Sequence, residues 1–314
     1  IDAQDISDII NSTALNAGGD AGGSAAKTTG VVTIDQSAYT SGTPTLSGNL
    51  NDVEFALKNS KVRADANDAT GVETVTVAGL SGINVKILPA DTRTVAQAEK
   101  IGTDYSVGTI EATIGAGDVS TFAAGGTSKI TTTGNKFHLT VTGTTNNAIF
   151  TVADTDDLTE LLGKTTGDIT LSDGGTGDPT LTGLAANIAP IITNARIKNH
   201  AASPVVLTDP DGSQVQAADI KAIAGVTSGT VGFTTGNTDQ IIVGSAADIH
   251  QIFDLRAAAV DDANEIWFGN AAIKQNIIIT GLTADHADLD AILDNDGTPM
   301  VNPLTAGTIT ISAD

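Results

Sequence analysis

The hydrophobic pattern along this chain is a short grammar used again and again. Three or four aliphatic residues run together, a glycine breaks them, and apolar positions then recur at i, i+3 and i+4. The stretch 241–255, IIVGSAADIHQIFDL, shows all of it. Ile241, Ile242 and Val243 read as a strand, and Gly244 ends it. Ser245 reads as an N-cap, because its hydroxyl can accept from the free amides of the next turn. Ile249, Ile252 and Phe253 then share one helical face.

The same pattern predicts helices at 1–12, from Asn49 onward, and at 90–101, 156–162, 184–194, 217–224 and 284–293. Pro190 lies inside the fifth of these and is able to kink it. Predicted strands include 31–34, 43–47, 73–77, 83–88, 109–114, 129–132 and 137–142, and further on 168–171, 180–182, 204–207, 230–233, 265–268, 276–280 and 307–312. Gly134-Asn135 reads as a hairpin-like turn between 129–132 and 137–142. The segment 119–124 is the least regular.

The helix anchors Ile6, Val53, Val95, Leu158, Ile188, Ile220, Ile249 and Leu289 are 47, 42, 63, 30, 32, 29 and 40 residues apart. Once the long gap is split at the irregular segment, the period is about 35 residues, within the range of repeat proteins. The expected fold is a β-rich α/β repeat, a solenoid-like array of strand–turn–strand–short helix units. The alternative is two β-sandwich-like α+β domains. The division falls between an N-terminal repeat region, 1–143, and a C-terminal one, 144–314. Helices of about two turns are marginal alone, so a sheet must hold them.

Composition narrows the core. Seven Phe, two Tyr, one Trp and one Met leave Val, Ile, Leu and Ala to fill it. With 37 acidic against 15 basic residues, the formal charge is −22. That excess excludes nucleic acid as a partner, since phosphate is neutralised by Lys and Arg. It equally disfavours anionic lipid. With no Cys, disulfides and thiolate metal sites are excluded. No apolar run reaches the ~18 residues of a membrane span, so no membrane insertion is expected. The first ten residues lack the basic and apolar regions of a signal peptide.

Catalytic motifs are not found. Gly163-Lys164-Thr165 resembles the end of a phosphate-binding loop, but Leu158 stands where the first glycine is required. His138, His200, His250 and His286 share no ligand spacing, and there is no G-x-S-x-G elbow. The expectation is therefore no enzyme and no certain cofactor. Two turns carry D-x-D-G, at Asp209 and Asp211 and at Asp294 and Asp296. Alternating acids with a following glycine form part of a Ca²⁺ loop, so these four are the metal candidates. Neither turn completes the twelve-residue loop, and D-x-D-G is also an ordinary turn.

The chain starts in a helical pattern and stops in a strand pattern. Placed head to tail, GTITISAD followed by IDAQDISDII continues the same strand-to-helix grammar. Open strand edges invite another chain. The expected partners are copies of the protein itself, head to tail, with Ile1, Ile6, Ile9, Ile309 and Ile311 as assembly residues.

Short A-D-I/L helix starts recur at Ala218-Asp219-Ile220, Ala247-Asp248-Ile249 and Ala287-Asp288-Leu289, between strands such as 167–171 and 307–312. This resembles the repeats of bacterial cell-surface proteins: S-layer-like proteins, giant adhesins and extracellular filament subunits. The resemblance implies an extracellular or cell-surface location, a structural and assembling role, and Ca²⁺ dependence. The chain lacks the glycine-rich nonapeptides of one calcium-binding subtype. The expected function is a structural extracellular protein that self-assembles end to end into a filament or surface layer. The alternative is a ligand- or glycan-binding module of a large adhesin or phage fibre, for which Trp267, Tyr39 and Tyr105 are the available large polar aromatics.

Overall fold

A computed structural model describes residues 2–3, 5–6, 31–33, 43–57, 61–64, 72–78, 82–88, 92–105, 107–146, 148–234, 240–257, 266–267, 276–280 and 309–312. In chain order the elements begin with β1 (Val31–Thr33), β2 (Thr45–Gly48), α1 (Leu50–Leu57), β3 (Lys61–Ala64), β4 (Val72–Ala78), β5 (Asn84–Ile87), α2 (Val95–Asp104) and β6 (Ile110–Thr113). There follow β7 (Gly117–Asp118), α3 (Val119–Phe122), β8 (Lys136–Thr142), β9 (Ile149–Phe150), α4 (Val152–Lys164), β10 (Ile169–Leu171), β11 (Thr180–Gly183) and α5 (Ala185–Ile192). The remainder are β12 (Ile197–Lys198), β13 (Val205–Leu207), β14 (Gln214–Gln216), α6 (Ala217–Ala224), β15 (Val231–Phe233), β16 (Ile241–Gly244), α7 (Ala246–Ala257), β17 (Ile266–Trp267), β18 (Asn276–Ile279) and β19 (Ile309–Ile311).

The chain forms two compact units. The first comprises Ile1–Gly115, Ser128–Leu139 and Lys164–Asp168; the second comprises Ala116–Thr127, Thr140–Gly163 and Ile169–Asp314. In the first, β2, β5, β6 and the start of β8 pair in parallel and in chain order. A separate small sheet places β4 between β1, which is parallel to it, and β3, which is antiparallel. In the second unit, β9, β11, β13, β15 and β17 make one parallel sheet and β14, β16, β18 and β19 another. There β10 pairs with β12, and β7 with the end of β8.

These pairings correct the expected fold class. Three of the four sheets are parallel throughout, and alternating β–α units build them. This is a parallel α/β architecture, in the class that holds the Rossmann and flavodoxin-like folds. It replaces both the solenoid-like array of strand–turn–strand–short helix units and the β-sandwich-like alternative. A period near 35 residues does not separate these cases, because a β–α–β unit takes about 30 residues as well. Sandwich domains need antiparallel strands, and β3 with β4 is the one antiparallel strand pair among the described residues. Strands close in sequence, such as β13 and β14, enter different sheets rather than folding on each other across a turn. The turn at Gly134 has φ +85°, yet it closes no hairpin. Residues 129–132 form no strand, and β8 instead pairs in parallel with β6.

The core is aliphatic and follows the strand alternation. Phe137, Leu139 and Val141 of β8 point inward, as do Ile110 and Ala112 of β6. From α6, Ile220 and Ile223 are fully buried, each worth roughly 1.5–3 kcal/mol of transfer free energy. The helices α5, α6 and α7 pack side by side in the second unit.

Helix starts are set by one device used four times. An N-cap side chain accepts from the amide three residues on, in the pairs Asn49/Asp52, Thr94/Gln97, Thr151/Asp154 and Ser245/Asp248. In all four pairs the later side chain is also bonded back to the cap side chain or its amide, at Asn49, Thr94, Thr151 and Ser245. This is the reciprocal logic of the capping box. It accounts for part of the acidic excess, since an acid near a helix N-terminus also favours the dipole. The helices α5 and α6 lack a local side-chain cap. For α5, Asp209 supplies the missing acceptor from 24 residues away, taking the Ala185 N–H at 3.0 Å.

Candidate functional site

Among the described residues of the first unit, a row of charged side chains lies across three parallel strands. Strand register aligns Lys86 of β5 with Glu111 of β6, and Glu111 with Lys136 of β8. Because side chains alternate along a strand, the inward neighbours Val85, Ala112 and Phe137 leave Lys86, Glu111 and Lys136 on the other face. Glu111 Oε1 is 2.8 Å from Lys86 Nζ, and its Oε2 is 3.2 Å from Lys136 Nζ. His138, two residues beyond Lys136, shares that face.

Burial works against the charge on Glu111. The bonds and fields of Lys86 and Lys136 outweigh it and hold the carboxyl below the ordinary glutamate value. Glu111 is thus fixed as an anion, the opposite of what a proton donor near neutral pH requires. His138 Nδ1 accepts the Asp168 backbone N–H at 3.3 Å. That bond places the ring proton on Nε2 in the neutral imidazole. Its carboxylate neighbours are Glu111 Oε1 at 3.8 Å from Nε2 and Asp168 Oδ2 at 3.9 Å from Nδ1. Both separations exceed hydrogen-bond reach, so no His–carboxylate dyad is made. The chemistry available to this row is electrostatic: it ties three strands together, each exposed pair contributing about 0.2–1 kcal/mol.

Two further polar clusters have the same character. Glu99 of α2 accepts from Thr131 N, Thr131 Oγ1, Thr132 N and Thr132 Oγ1 at 2.7, 2.6, 2.9 and 2.9 Å. Burial opposes its charge, but these bonds more than compensate, and its carboxyl lies below the ordinary value. Asp154 is buried and accepts from the amides and hydroxyls of both Thr144 and Thr151. Each cluster anchors a loop to a helix.

The metal candidates separate on inspection. Asp209 is buried, and its Oδ2 takes the Ala185 amide, while Asp211 is exposed with Oδ1 3.4 Å from Gln240 Nε2. Burial raises the Asp209 carboxyl above its usual value, against the Ala185 bond. Asp294 and Asp296 lie outside the described residues. Among the described residues no group of three or more His, Cys, Asp or Glu is placed to hold a metal ion.

His200 is pushed down by burial, against the field of Asp178. His250 lies in α7, and His286 is outside the described residues. Of the assembly candidates, Ile6 is buried and Ile311 is exposed. Ile309 belongs to β19, and Ile1 and Ile9 are outside the described residues. Among those residues no helix is long and apolar enough to cross a membrane.

Along the sequence His138 stands apart from the other histidines. The alternation in KFHLTVT was enough to place Lys136 and His138 on one face, but the register that brings Glu111 beside them joins strands 25 residues apart. No family model matches the chain, and neither the curated proteins nor the solved structures give a match.

Proposed function

We propose that this is a structural extracellular protein that assembles through its open sheet edges into a filament or surface layer. The observation that carries the reading is the treatment of one face of the four-stranded sheet. Its strands join in chain order, β14, β16, β18, β19. Ile279 of β18, opposite Ile311, is fully buried, whereas Ile311 of the edge strand β19 is 47% exposed. Among the described residues no strand pairs with the outer side of β19, and such an edge beside an apolar side chain is a template for another strand.

The polar clusters support the same reading, because each is consumed in holding strands, loops and helix starts. The acidic surface and the resemblance to cell-surface repeats support the extracellular location. Sedimentation velocity over a hundredfold concentration range tests the proposal. Species growing in mass with concentration are expected; a single monomeric boundary throughout would remove it.

A further inference from the structure

The turn between β13 and β14 contains Asp209-Pro210, one of two Asp-Pro pairs in the chain; the other is Asp178-Pro179. Asp-Pro is an acid-labile peptide link. The aspartate carboxyl closes a five-membered ring onto its own carbonyl carbon, as a nucleophile already in place. Proline nitrogen, a basic secondary amine, is then readily expelled. The two pairs differ in what the fold sets against the reacting atoms.

At Asp209-Pro210 each reacting group is provided for. The Asp209 side chain is buried, and its Oδ2 is held by the Ala185 amide at 3.0 Å. The Asp209 carbonyl oxygen, which gathers negative charge when its carbon is attacked, accepts from Gln240 Nε2 at 2.9 Å. Gln240 is fully buried, and a buried donor aimed at such an oxygen has the geometry of an oxyanion hole. The opposite amide orientation would set Oε1 against that oxygen, acceptor against acceptor. Gln240 Oε1 is itself buried with no hydrogen-bond partner, a cost that a glutamine kept for packing alone would not carry. Pro210 is exposed, so solvent reaches the leaving nitrogen. At Asp178-Pro179 the Asp178 carboxyl is held by the Ala202 amide at 2.6 Å, but Pro179 is buried. Among the described residues no side chain donates to the Asp178 carbonyl.

We propose that the folded protein cleaves its own chain at the Asp209–Pro210 bond in mild acid, with Gln240 as the oxyanion donor. An Asp209 carboxylate oxygen attacks the Asp209 carbonyl carbon, and a C–O bond forms. The C–N bond to Pro210 breaks, its electron pair stays on nitrogen, and that nitrogen takes a proton from solvent. Water then opens the cyclic anhydride. Asp209 is left with a free main-chain carboxyl, and Pro210 becomes a new N-terminus. The charged groups facing the bond are Asp211, 3.4 Å from Gln240 Nε2, and Asp219 of α6, whose field reaches Asp209. Both are acidic, and their field favours protonation of the leaving group. The cut lies between strands of different sheets, since β13 pairs with β11 and β15 and β14 pairs with β16. Each side of the break keeps its strand pairing, so the nick is read only after denaturation.

The test holds the purified protein at about pH 5, either folded or in urea, and identifies the products by denaturing gel and mass spectrometry. The folded protein should break at 209–210 and not at 178–179, and faster than the same bond breaks in urea, where both Asp-Pro bonds should break at similar rates. Pro210→Ala should stop the cleavage. Gln240→Ala should slow it by about a hundredfold, with circular dichroism showing that the variant is folded; an unchanged rate would overturn the oxyanion role. A folded chain that stays intact, equal breakage at the two Asp-Pro bonds, or a rate at 209–210 no higher folded than in urea would overturn the proposal. Those three readings use the parent protein and need no variant to fold.

Discussion

The Gly244–Ala217 contact gives the sharpest stability prediction. A methyl group at 244 would sit 2.7 Å from the Ala217 Cβ, 3.7 Å from its N and 3.8 Å from its Cα. The best separation of two carbons is about 3.5–4.0 Å, so the close contact is roughly 1 Å too short. Ala217 is fully buried at the start of α6 and has no flexible end to move aside. Overpacking of this kind costs about 1–3 kcal/mol. Lower entropy of the unfolded chain returns about 0.4–1 kcal/mol when Gly becomes Ala. Gly244→Ala should therefore destabilise by a net ~1–2 kcal/mol.

Ala217→Gly removes the opposing methyl, so in that background Gly244→Ala should cost nothing or stabilise slightly. The coupling across the double-mutant cycle should reach at least about 1 kcal/mol, measured by urea unfolding followed by far-ultraviolet circular dichroism. The pair Gly48 and Ala3 has the same 2.7 Å spacing and should give the same cycle. Equal costs for Gly244→Ala in both backgrounds would refute the claim that this contact sets the spacing.

Other outcomes follow from the polar clusters and close approaches. Glu99→Ala should destabilise by about 1 kcal/mol, discounted for its exposure. Because the folded carboxyl lies below the ordinary value, that contribution is present above the unfolded glutamate value and is lost as pH falls through the folded one, which a melting series against pH will show. Asp209 has the opposite sign. Its folded value is raised, so parent stability should fall as pH rises from the unfolded to the folded value. Asp209→Asn should flatten that slope and melt higher at neutral pH. Gly167→Ala and Gly229→Ala would each place a Cβ 2.3 Å from a backbone oxygen, of Phe137 and Ser203 respectively. Each should cost about 3 kcal/mol in the same urea assay, and near-neutral values would contradict the geometry.

Much of the local structure was legible because it rests on short-range physics. The helix 217–224 is found within its predicted bounds, and Ser245 caps its helix through the Asp248 amide. The short strands at 180–182, 204–207 and 230–233 lie where the aliphatic runs put them. What failed was long-range pairing. The helix anchors measured the length of a repeated unit, and that length is shared by architectures with different sheet connectivity. Lys61–Ala64 and Gln214–Gln216 were missed as strands because KVRA and QVQ carry few apolar residues.

A recurrent sequence signal marks two strand entries. Thr165-Thr166-Gly167 and Thr227-Ser228-Gly229 each place a threonine hydroxyl on a carbonyl in or just ahead of another strand, at 2.8 Å to Phe137 O and 2.7 Å to Ser203 O. The glycine two residues on donates its amide to that hydroxyl in both cases. The T-x-G spacing could have marked these strand entries. The charged row could not be found so easily, because Lys86, Glu111 and Lys136 meet only through register.

The central claim, that the protein is a self-assembling structural element, meets its most direct test in electron microscopy of the purified 314-residue chain. Negative-stain images across a concentration series should show polymers or sheets with a regular repeat. Discrete particles of monomer size at every concentration would contradict the account.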